Sequence, residues 1–122
     1  MIRVLLATVA ILSPLAAVAE DLRQTAQEVA IDPDRFIDRR VIVTGCGIVA
    51  HLREGLCGVR SKTGFIGNMW VDIAAMPADD KRFLTTECAS FVPPERCTVT
   101  LSAVITRKGD DIWLVQPAIV RD

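Results

Sequence analysis

The stretch VIVTGCGIVAHL, residues 41–52, decides the fold. Valine, isoleucine and threonine dominate it, and such side chains suit a pleated, half-buried surface. It reads as one long strand. Gly45 and Gly47 interrupt it. Glycine inside a strand marks a bulge or a sharp coil. A strand that coils at Gly45 can serve two sheets, one with the residues before the glycine and one with those after it.

Downstream, Arg53-Glu54-Gly55 supplies a turn, residues 56–61 form a second strand, and the polar, glycine-containing stretch 61–67 reads as a loop. Residues 68–74 alternate. Met69, Val71 and Ile73 share one face, and Asn68, Trp70 and Asp72 share the other, which predicts a third strand. Residues 77–87 predict a helix, with Pro77 early, Asp79 and Asp80 in the first turn, and Phe83 and Leu84 toward the core. Pro93-Pro94 makes residues 89–96 a loop. Residues 97–107 alternate again as a fourth strand, and 112–120 make a fifth, with Pro117 pointing to an edge or a strand end. Gly109-Asp110 fits a two-residue hairpin turn. That turn pairs Lys108 with Asp111, Arg107 with Ile112, Thr106 with Trp113 and Ile105 with Leu114, a register in which Ile105 and Leu114 share one face.

Upstream, Leu22, Ala26, Val29 and Ala30 recur at helical spacing, so residues 20–30 read as an N-terminal helix. Asp32 and Pro33 then suit the cap and first position of a short turn anchored by Phe36 and Ile37. The expected fold is mainly β: a five-stranded OB-fold, a Greek-key barrel, with an N-terminal helix and a second helix between strands three and four. The barrel is expected over residues 41–122, preceded by the N-terminal helix and lead-in turn over 20–40.

Particular residues add a resemblance. DPDRFIDRRVIVTG, residues 32–45, resembles the start of small secreted bacterial OB-fold proteins of the nucleic-acid-binding-like family. There an Asn/Asp-Pro precedes an aromatic-Ile pair, a basic residue and V-x-V-x-G. CTVTLSAVI, residues 97–105, resembles their fourth strand, and WLVQPAIV, residues 113–120, their fifth. Ser102-Ala103 stands where that fourth strand often carries a glycine. The resemblance implies a fold. It implies no single function, because OB-folds host many.

Residues 1–19, MIRVLLATVAILSPLAAVA, read as a secretory signal peptide. Arg3 is the positive start, an apolar core follows, and Ala17-Val18-Ala19 is a small-x-small site with cleavage after Ala19. The apolar core is shorter than the ~20 residues of a membrane-spanning helix, so no stable membrane anchor is expected after cleavage. The expected location is the bacterial periplasm or the exterior. What remains is one small domain of about 100 residues. The whole chain carries a formal charge of −1, and loss of Arg3 makes it more acidic. Phosphate binding draws on a basic excess, so this balance argues against nucleic acid.

The chain has four cysteines and one histidine. An even cysteine count in a small exported domain reads first as disulfides. Cys46–Cys57 with Cys88–Cys97 is the favoured pairing, and Cys46–Cys97 with Cys57–Cys88 the main alternative. A tight turn at 53–55 would set Cys57 near His51, so Cys46–Cys57 requires a wider loop or strong coiling. The competing readings make Cys46, His51 and Cys57 a metal site or a thiol-dependent enzyme. The spacings C-x₄-H-x₅-C and C-x₈-C match neither the close pairs of zinc sites nor a C-x-x-C redox motif. No metal and no other cofactor is expected.

Trp70 is the outward aromatic of the third strand, sharing its face with Asn68. Arg60 can join that face, and Trp113 with Arg107 and Lys108 flanks it at the last hairpin. Aromatics beside cations form the minimal stacking platform for single strands or sugars. The competing reading packs Trp70 under the N-terminal helix. No Ser-His-Asp arrangement, paired-carboxylate signature or phosphate loop is present, so no enzyme is expected. The sequence thus predicts a binding or accessory module for a protein, glycan or small molecule. Its alternatives are a single-strand or oligosaccharide binder through Trp70 and an enzyme using Cys46, His51 and Cys57.

Overall fold

The computed structural model describes residues 22–121. The signal peptide read over residues 1–19 lies outside the described residues. The described chain is mainly β, with six strands in one sheet and two helices. In order these are β1 (Arg23–Thr25), α1 (Ala26–Ile31), β2 (Arg40–Ala50), β3 (Gly55–Ser61), β4 (Gly64–Val71), α2 (Ala78–Glu87), β5 (Thr98–Lys108) and β6 (Asp111–Ile119). Single 3₁₀ turns occupy Pro33–Arg35, Ile73–Ala75 and Glu95–Cys97. No helix among the described residues is long and apolar enough to cross a membrane.

The first correction concerns the N-terminus. The expected helix over 20–30 begins instead as strand β1, which makes six strands rather than five. Arg23, Gln24 and Thr25 pair in parallel with Ile42, Val43 and Thr44. The helix starts only at Ala26, because Thr25 has extended backbone and its hydroxyl accepts the Glu28 N–H at 3.1 Å. This is half of a capping box, legible as Thr25-x-x-Glu28. Asp32, expected as a cap, makes no side-chain cap hydrogen bond.

The second correction concerns residues 61–67. They are a tight β3–β4 hairpin and not a loop. Ser61 pairs with Gly64 and Arg60 with Phe65, but Val59 pairs with Gly67, so Ile66 is an extra residue. This bulge breaks the alternation that would have identified the strand. At its other end β4 stops at Val71. Ile73 is buried as the alternation required, but from a 3₁₀ turn.

β2 shows why this chain folds as it does. Val41 and Val43 are buried in one phase, and Cys46, Ile48 and Ala50 in the other. The switch falls at a register shift between Val43 and Cys46, where Gly45 has φ +80°. An inserted residue exchanges the two faces of a strand, and glycine adopts the conformation without a Cβ clash. β2 thereby pairs antiparallel with β5 along residues 40–47 and with β3 along residues 47–50. The pairings run β2–β3–β4–β6–β5 and return to β2. All are antiparallel except β4 with β6.

The β5–β6 hairpin has the register that the Gly109-Asp110 turn predicts, from Lys108–Asp111 to Ile105–Leu114. Pro117, expected at an edge or strand end, sits instead inside β6, between β4 and β5, at a third irregularity, where Gln116 and Pro117 face Ala103 alone. A residue without an N–H is tolerated there because no ladder bond is due. Gln116 has φ +51°, and the Arg40 guanidinium braces the bend by donating to Gln116 Oε1 at 3.1 Å and Ser102 Oγ at 3.0 Å.

One core joins these elements. Ala26 and Val29 of α1 and Leu84 of α2 enter it beside Val41, Ile48, Met69, Leu101 and Leu114. α2 is tied to the C-terminal strand by Asp80. This carboxylate, 4% exposed, accepts the Ile119 N–H at 3.0 Å and an Arg121 N–H at 2.9 Å. Helix-start chemistry alone was expected of Asp79-Asp80. Both do stand in the first turn; Asp79 also pairs with Arg82 at 2.8 Å, and Asp80 adds the long-range anchor that was not expected.

Candidate ligand-binding groove

The cysteines join as Cys46–Cys57 and Cys88–Cys97. The first pair reaches because the 51–54 loop sets Ala50 opposite Gly55, which brings Cys57 opposite Ile48. Coiling at Gly45 closes the remaining offset, leaving the Cα atoms 4.9 Å apart. Cys46 and Cys57 are fully buried beneath the sheet. The residue after each is a glycine, Gly47 and Gly58, and these two pair with each other.

Side chains alternate across a strand, so both glycines fall on the outer face. A Cβ added at Gly58 would stand 3.4 Å from the Gly47 carbonyl, and one at Gly47 would stand 3.6 Å from the Gly58 carbonyl. The pair makes a floor of bare backbone. Above it opens a groove of about 680 Å³. Half-buried Val49 and Leu56 close one end, and Arg60 and Phe65 of the β3–β4 hairpin close the other. Phe91, Val92 and Pro93, from the α2–β5 loop, form a wall. Arg60 is the one charged residue among those that line it.

The wall is anchored at both ends. Cys88–Cys97 closes the loop that carries it, and an Arg96–Glu87 ion pair at 2.9 Å lies alongside. The Ala50 N–H donates to the Cys88 carbonyl at 2.8 Å, which fastens the loop base to β2. Yet Phe91 is 87% and Val92 79% exposed. Phe65 on the opposite hairpin is exposed as well, so three exposed apolar side chains surround one concavity.

The six residues expected to form a binding face are divided. Arg60 and Asn68 line the groove. Trp70, Trp113 and Lys108 form a stack beside it. The two indoles lie 5.5 Å apart with planes at 17°, and Lys108 Nζ stands 4.3 Å from the Trp113 ring. Leu56, which pairs with Trp70, separates this stack from the glycine floor. Arg107 joins neither group and forms an ion pair with Asp34. Trp70 is half-buried and stacks on Trp113. His51 is exposed, and with Cys46 and Cys57 bonded to each other no thiolate stands beside it. The described residues contain no cluster of three or more His, Cys, Asp or Glu arranged to hold a metal.

Sequence reasoning passed over Phe65, Phe91 and Val92. Their signal was present: large apolar side chains in polar, glycine- or proline-bearing stretches, TGFIG and SFVPPE. Compared with known proteins, the chain matches no family model, no curated protein and no solved structure.

Proposed function

We propose that this chain is a small binding or accessory module of the OB-fold type, working in an oxidising compartment, the periplasm or the exterior, with the glycine-floored groove as its ligand seat. The strand order supports the fold reading. Leaving β1 aside, five strands pair in a ring, the third and fifth run parallel, and a helix joins the third to the fourth. That is the order of a Greek-key OB barrel, whose second and third strands form the usual ligand face. Here those strands are β3 and β4, and the groove lies across them and the Gly45–Val49 part of β2. Two buried disulfides fit an oxidising compartment.

The observation that carries the binding reading is the exposed Phe91-Val92 wall over bare Gly47-Gly58 backbone. A concave, mostly apolar site with a few polar groups is the form of a ligand pocket, and glycine admits close approach. The tryptophans offer less, since they already stack on each other.

Amide resonances recorded while soluble fragment-sized compounds are titrated test this reading. Hits are expected to move Gly47, Gly58, Asn68 and Val92 together, and Phe91→Ser, at an exposed position, to weaken them without altering the fold. Hits that cluster elsewhere, or that ignore Phe91→Ser, would place the seat outside the groove.

A further inference from the structure

We infer that the groove selects a small apolar anion, a molecule with a hydrocarbon or aromatic body and one carboxylate-like group that Arg60 receives. The inference rests on the groove being the ligand seat and adds the chemistry of its occupant. Three observations carry it. The first is size. About 680 Å³ lies inside the range of small-molecule sites. From Leu56 to Arg60 the floor runs four residues along β3, roughly 13 Å at strand rise, the length of a medium acyl chain or of two aromatic rings.

The second is the lining. Val49, Leu56, Phe65, Phe91 and Val92 surround the bare floor, so the body of the ligand must be apolar to gain from burial. The third is the charge. Arg60 is exposed at one end and has no ion pair among the described residues; Arg23, Arg39, Arg40 and Arg53 have none either, but Arg60 alone of these lines the groove. No acidic residue is among those that line the groove. A guanidinium takes a carboxylate through two parallel hydrogen bonds, and its planar face tolerates an adjoining aromatic such as Phe65, its cross-strand partner. One arginine suits one anionic group. A polyphosphate chain would call for several cations.

The test uses the oxidised protein and three ligands with one tail: decanoate, 1-decanol and decyltrimethylammonium, each below its self-association limit. Calorimetry gives affinity and amide resonances give location. Decanoate is expected to bind one to one at Gly47, Gly58 and Asn68, and Arg60→Gln to weaken it roughly two- to fivefold, the loss of a solvent-screened charge pair. Decanol is expected to bind more weakly and to ignore Arg60→Gln, and the cation to bind least. Groove binding with no preference among the three, or decanoate affinity unchanged in Arg60→Gln, overturns the anion inference and leaves the groove as the seat. Failure of all three to move the groove amides removes both. Groove amides that shift with protein concentration alone would assign the face to a second copy of the chain and overturn the small-molecule reading.

Discussion

Cys46-Gly47 and Cys57-Gly58 divide their work by the pleat: each cysteine faces the core and each glycine faces the groove. The staple and the floor are the same two dipeptides read from opposite sides of the sheet. Asp80 is a residue of another kind. Its carboxylate is buried, yet it has a backbone donor from β6 and a guanidinium at the surface. Arg121 is 62% exposed, so water screens that charge pair, and the bond to the Ile119 N–H carries most of the effect. Asp80→Ala should therefore cost about 1 kcal/mol by leaving a half-buried donor without its partner. Asp80→Asn retains an acceptor and should cost less, and Arg121→Ala least. Urea midpoints of the three variants check the ranking. An Arg121→Ala loss equal to that of Asp80→Ala would mean that the ion pair dominates. Asp80 was not legible as a long-range anchor, because an acidic residue in a helix's first turn already has a local explanation. Arg60 and Asn68 were legible as outward residues through alternation. Phe91 and Val92 were not, since a loop has no period to show which way it faces.

At the scale of elements, alternation was informative until a bulge reset it. The β5–β6 register followed from one glycine turn and two apolar runs. The extent of β4 did not, because Ile66 is an extra residue that breaks the pattern. β1 was hidden differently. Three residues of strand are too short to show a period, and its apolar neighbours do fit a helix. The α2–β5 loop is the element on which the proposed function depends. Its ends are joined by Cys88–Cys97 across a separation of 9 residues, and its two largest apolar side chains stand in solvent. Opening it with Cys88→Ser and Cys97→Ser together should cost about 2–3 kcal/mol by the chain-entropy estimate. It should also free the wall, so decanoate binding should fall by more than the change in folded fraction accounts for. Calorimetry under conditions where both forms are fully folded checks this. Unchanged affinity would show that the loop holds its position without the disulfide.

At the scale of the whole molecule, the described residues share one core, a single cluster of buried side chains that runs from Ala26 in α1 to Leu114 in β6. A domain of this size holds about 5–15 kcal/mol of stability. The two disulfides close loops with separations of 11 and 9 residues, and each contributes about 2–3 kcal/mol by restricting the unfolded chain. Both grip the same stretch of β2, since Gly47, next to Cys46, pairs with Thr98, next to Cys97, so their contributions are not independent. Their separate values sum to about 4–6 kcal/mol, a quarter or more of that reserve. Most of the remaining stability comes from a core with one buried aromatic among the described residues, Phe36, and half-buried Phe83 packed against it. Under reductant the protein should therefore unfold at much lower urea, or be partly unfolded without any. The Trp70–Trp113 stack spans β4 and β6 and reports on this directly. Tryptophan fluorescence and far-ultraviolet circular dichroism should follow one transition in both states, displaced together by the reductant. A reduced chain with an unshifted midpoint would mean that the core alone suffices. A large shift would mean that the fold is completed only where thiols are oxidised, so that the compartment in which the chain works is also the condition for its having a groove.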